Sequence, residues 1–210
     1  MSNRPHKPVS MPSWRVEASE SEEDALWRVH PERQMAIAHE TAALLIRTEE
    51  GSRSEMLVRV TEFVDVEGIE TLAELWAGTN PTSLPHALFR LFQVREQIHL
   101  HAEEIGHLIN RGIDILETID PYVFGAQVPV TAETVQSIVD QILSGSFQGD
   151  LAQALERAAS LATLVSAGLL NWLENGEGAR HAHSLSALAW GDVAKELANC
   201  AVRERKGLLA

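Results

Sequence analysis

Between positions 96 and 107 the sequence gathers Glu96, His99, His101, Glu103, Glu104 and His107, its densest set of metal-ligand side chains. Glu96-Gln-Ile-His99 and Glu104-Ile-Gly-His107 each match Glu-x-x-His, the pair that helical di-iron bundles take from two of their helices. Carboxylate and imidazole together suit iron, manganese or zinc. On one continuous helix, turning about 100° per residue, Glu96, His99, Glu103 and His107 lie within roughly 80° of one another. They are the candidate metal ligands.

Spacing limits that chemistry. The apolar stripe through Ile98, Ile105 and Ile109 sits about half a turn away from these four residues. Ligands of a bundle di-iron site must project inward, beside such a stripe. The two motifs are separated by about 12 Å along a single helix. Two bridged metals sit about 3.5–4 Å apart, so one helix cannot aim both motifs at one cluster. The reading therefore favours a solvated polar face and expects no resident cofactor. A break near Gly106, or pairing of two chains across this face, would reopen the case.

Other chemistry is sparser. His181 and His183 fall in a polar loop without a third ligand, and His39 sits near an apolar helical face. Cys200 is the only cysteine, which excludes an intrachain disulfide and a cysteine-based zinc site. It reads as a packing residue, because no neighbouring base would activate it as a nucleophile. No P-loop, Gly-x-Ser-x-Gly or dinucleotide-binding glycine pattern occurs.

The candidate ligands lie on the longest apolar-periodic stretch, Leu84 to about Ile119, with a break expected near His101 or Gly106. Ser83 is an N-cap type, and Pro85 falls in the first turn, where its missing N–H costs little. Leu91, Val94, Ile98, Ala102, Ile105, Ile109, Ile113 and Leu116 recur at steps of three and four, a buried helical stripe. Around this spine the sequence predicts further helices. A short one covers Glu22 to Val29. Another runs from Pro31 to Gly51, with Met35, Ala38, Ala42, Leu45 and Ile46 inward. A third is capped by Ser54, with Leu57, Val60, Phe63 and Val64 on its core face, and a short piece spans Ile69 to Ala77. Thr131 caps a helix ending at Gly145, and Asp150 caps a long one with apolar positions from Leu151 to Leu173. The last, roughly Ser184 to Lys206, is expected to bury Leu185, Leu188, Val193, Leu197 and Ala201. Residues 120–130, with two prolines and a glycine, read as an extended connection. Trp76, Trp172 and Trp190 are expected mostly in the core.

Apolar residues make up 45% and aromatics only 5%, with one tyrosine, a balance that favours helix over strand. Residues 1–20, with Pro5, Pro8 and Pro12, cannot bury enough apolar surface to offset their ordering entropy and read as a disordered arm. Trp14 and Trp27 flank the acidic run that follows. Residues 21–210 form the all-α domain, a single bundle of about six to eight mostly antiparallel helices joined by short loops. The formal charge of −13, without any dense window of Lys and Arg, argues against direct nucleic-acid or anionic-membrane binding. No secretory h-region opens the chain, and the longest nearly apolar run, Leu161 to Leu173, is too short to span a bilayer. Cytoplasmic residence is the expectation.

The runs Ser83 to Glu96 (SLPHALFRLFQVRE) and Ile142 to Ala159 (ILSGSFQGDLAQALERAA) resemble segments of an uncharacterised all-helical family of actinobacteria. Members of such a family carry inherited labels such as an RNA polymerase subunit. This chain is far too short for that role and lacks an acidic metal-binding loop for nucleotide transfer. The resemblance implies a helical fold and no activity.

The sequence thus points to a non-catalytic, acidic helical protein that works through contact with a protein partner, with self-association left open. Two alternatives stand beside it: a bundle metalloprotein using the Glu/His set, and a regulator that sets its acidic surface against a basic groove of the transcription machinery.

Overall fold

The structure is a computed structural model that describes residues 31–47, 68–119, 131–175 and 186–210. These residues form an all-α bundle: α1 (Pro31–Arg47), α2 (Ile69–Ala77), α3 (Leu84–Leu100), α4 (Ala102–Ile119), α5 (Ala132–Leu143), α6 (Leu151–Glu174) and α7 (Ala187–Arg205). None of the helices is long and apolar enough to cross a membrane. The expected arm at 1–20, the short helix at 22–29, the helix capped by Ser54, the connection at 120–130 and the loop carrying His181 and His183 lie outside the described residues.

Local chemistry starts the helices. Ser83, Thr131, Asp150 and Ser186 stand in extended backbone and accept bonds from His86, Thr134, Gln153 and Ala189 N–H respectively. Each thereby satisfies a donor that the first helical turn leaves unpaired. The spine does break at His101, whose φ of −132° ends α3 while its carbonyl already accepts from Ile105 N–H in α4.

Packing is organised around α3, which touches each of the other six helices, and its Leu88, Leu91, Val94 and Ile98 are buried. Reciprocal contacts give the directions. Ser166 Oγ donates to Ala187 O and Arg205 pairs with Glu156, so α6 and α7 run antiparallel. Gly112 abuts the backbone of Leu164 and Gly168 that of Leu108, so α4 and α6 are antiparallel as well. After α7 the chain folds back to the start of α3. Leu209 is buried, Ala210 O accepts from Leu84 N–H, and Arg203 Nε donates to Thr82 O.

Four residues expected inside are not. Ala102 is exposed because the break at His101 resets the phase of α4, so that Ile105, Leu108 and Ile109 form its buried edge. Met35 and Leu173 are 44% and 41% exposed, at opposite ends of stripes whose buried parts begin at Ala38 and finish at Leu169. Leu188 is 78% exposed. Trp190 sets the inward phase of α7 with Val193, Ala194, Leu197 and Ala201. Leu188, two positions before Trp190, stands about 200° around the helix from it. Ser186 caps α7.

Candidate functional site

A polar cluster of His86, Arg90, Gln93 and Glu196 bridges α3 and α7. Ser83 and Pro85 fix the first turn of α3, which places His86 against α7 with only 5% of its surface exposed. Its Nε2 lies 2.7 Å from Glu196 Oε2, and Arg90 Nε donates to the same oxygen at 2.6 Å. Gln93 Oε1 accepts from Arg90 Nη1 at 2.7 Å, and the Phe89 ring lies 5.8 Å from the guanidinium carbon. Because Nε2 faces a carboxylate, the neutral ring carries its proton there. His86 Nδ1 is then a buried lone pair with no partner among the described residues.

Burial pushes the Glu196 carboxyl upward, but the bonds from Arg90 and His86 outweigh it and hold the group below its ordinary 4.5. A carboxylate depressed in the folded state stabilises the protein above its unfolded pKa, and that contribution is lost as pH falls through the folded value. Acid unfolding should therefore weaken the α3–α7 contact below about pH 4.5. Glu196→Gln should lower stability near neutral pH and flatten the acid limb of a pH–stability curve. An unchanged acid limb in that variant would remove Glu196 from the account.

A glutamate–histidine pair also occurs in nucleophilic catalysis, so the nearest nucleophile matters. Cys200 lies one turn beyond Glu196, and its thiol donates to Pro81 O at 3.5 Å. Burial, reinforced by the Glu196 charge, pushes that thiol up to about 11. Cys200 is a packed, protonated side chain, not an activated thiolate.

Beside this cluster, Arg90, Gln93, Gln97, Trp190, Asp192 and Val193 line a groove of about 440 Å³ between α3 and α7. Gln97 Oε1 is buried without a partner among the described residues. A second groove of about 760 Å³ runs along α4 to Trp172 and is lined by Glu103, Glu104, His107, Arg111 and Asp114.

The four candidate metal ligands are divided among these features. Glu96 lines the first groove and pairs with Arg95 at 2.6 Å. His99 is exposed in the last turn of α3, while Glu103 and His107 are exposed along the second groove. His101 Nδ1 stands 3.7 Å from Glu104 Oε2. Among the described residues no three His, Cys, Asp or Glu side chains come together in a way that would hold a metal ion.

His86, Arg90 and Glu196 carried no sign of this role in the sequence. His86 falls among Leu84, Ala87 and Leu88 on an apolar face, the one local signal that its imidazole would be buried. Its partner lies 110 positions away, beyond any local pattern. No protein-family model, curated protein or solved structure matches this chain.

Proposed function

We propose that this protein is a non-catalytic helical scaffold that works by binding another protein. The observation that supports this reading is a set of exposed leucines toward one end of the α6–α7 hairpin. Leu170, Leu173 and Leu188 are 48%, 41% and 78% exposed there. The bond from Ser166 Oγ to Ala187 O places the turn around Ser166 beside the start of α7, with Leu170 and Leu173 further along α6. Single exposed leucines are ordinary; three near one end of a hairpin are apolar surface that a protein partner can cover. The formal charge of −13 adds a preference for a basic partner and a binding rate that falls with salt.

The test is affinity capture with the full chain and with a Leu173→Ser/Leu188→Ser double variant. Leu188 is mostly exposed, so the variant should keep its helical circular dichroism. A partner recovered reproducibly with the parent chain should be lost with the variant. Equal recovery by both chains would move the interface elsewhere. Turnover of a small molecule with no partner captured would overturn the reading.

A further inference from the structure

His101 is the one residue between α3 and α4, and it divides the described helices into two sets. Within the first, Trp76 ties α2 to α1, and α3 packs on both. Within the second, α4 and α6 meet at Gly112 and Gly168, and Arg205 ties α7 to α6. Other contacts join the sets: His86 and Arg90 with Glu196, Arg95 with Asp140, Arg47 with Glu204, and Leu84 N–H with Ala210 O. The chain passes from one half of the bundle to the other at this single point. Local sequence marks the point without enforcing it. Glu103 and Glu104 suit a helix start after His101, but no proline or glycine stands between Gln97 and Ile105. Helical bonding reaches the break from both sides, with His101 N–H donating to Gln97 O at 3.0 Å and Ile105 N–H to His101 O at 2.9 Å. Straightening His101 would let Ala102, Glu103 and Glu104 N–H donate to Ile98, His99 and Leu100 O, bonds that the described backbone lacks. It would also restore the apolar step from Ile98 through Ala102 to Ile105.

We propose that His101 is the hinge of a domain exchange between two copies of this chain, in which Leu84 to Ile119 run as one helix about 54 Å long. Each copy's α1–α3 then packs on α4–α7 of the other. Every joining contact named above re-forms between the chains, so the exchange gives up none of them. Leu100, 64% exposed, and Ala102, also exposed, lie at the hinge, where the two copies meet. They gain cover there that the single chain does not give them. A connection of one residue favours such an exchange, because short hinges have few other ways to relax. The proposal rests on the division of the fold and is independent of the exposed leucines on the α6–α7 hairpin.

Parting the halves requires unfolding, so the test refolds the full chain from urea at a concentration on the order of millimolar and sizes it by light scattering. The parent chain should give a dimer whose fraction rises with the refolding concentration. An Arg95→Cys/Asp140→Cys variant bridged by a short bis-maleimide then identifies the exchange. In an exchanged dimer the bridge joins two chains; in any other dimer it stays within one, and denaturing electrophoresis separates the two cases. Cys200 is buried and protonated and does not compete. Ala102→Pro suits the first position of α4 but sets its ring against the Ile98 carbonyl in a continuous helix, and should cut the dimer about tenfold or more. His101→Leu, a better helix former, should raise it about threefold. The proposal is overturned if no dimer forms, or if the bridge in the dimer stays within single chains. It is equally overturned if His101→Leu dimerises no more than the parent, or if a folded Ala102→Pro dimerises as well as the parent.

Discussion

Gly168→Ala should destabilise the protein by about 2 kcal/mol or more, although alanine is the better helix former by about 1 kcal/mol. A Cβ at Gly168 would sit 2.9 Å from the carbonyl carbon of Leu108, and one at Gly112 would sit 2.8 Å from that of Leu164. Both obstacles are backbone, so no side chain can swing away and the helices themselves have to separate. Separation loosens the dispersion contacts of Leu108, Ile109, Leu161, Leu164 and Val165 along the α4–α6 seam. For a chain of this size the loss corresponds to a fall in Tm of about 4–8 °C. Gly112→Ala should behave alike. The double variant should cost less than the sum, because one displacement relieves both clashes. Thermal and urea unfolding measure all three. Stabilisation by either alanine would show that α4 and α6 do not approach this closely.

Trp76→Ala should have the larger effect, about 3–5 kcal/mol. Trp76 is fully buried, and its Nε1–H donates to Thr41 Oγ1 at 3.1 Å, tying α2 to α1. Thr41 in turn donates to Ile37 O at 2.8 Å, so the hydroxyl is oriented to accept. Removing the indole opens a cavity among residues of the core. It also leaves the hydroxyl without its donor. Trp76→Phe keeps most of the volume and should cost much less, with the shortfall from the lost bond near 1 kcal/mol. Thr41→Val should cost a similar amount, and the Trp76→Phe/Thr41→Val pair should cost less than the two singles combined. Strict additivity in that cycle would mean that the bond contributes nothing.

These two sites differ in how far the sequence announced them. Trp76 falls on a clear apolar face with Leu72, and its burial follows from helical spacing alone. Gly112 and Gly168 look like weak points in helices when read singly. Their use becomes apparent only when each meets the other helix's backbone. The candidate ligands show the same division. Helical geometry placed Glu96, His99, Glu103 and His107 on one polar face. The break at His101 assigned two to α3 and two to α4. The grooves then received Glu96 on one side and Glu103 with His107 on the other.

Among the described residues the chain by itself determined the helices, the caps at Ser83, Thr131 and Asp150, and the break in the spine. Hydrophobic period, a hydroxyl or carboxylate before the first turn, and chain-stopping residues all act within a few positions. The tertiary structure alone decided that Leu188 stays in solvent, while Val193, Leu197 and Ala201 of the same helix face inward as their spacing implies. It also brought His86 and Arg90 to Glu196 and pressed Gly112 and Gly168 against foreign backbone. Those outcomes depend on the surface that a distant helix presents, and no local pattern encodes the shape or charge of a partner so far away in sequence.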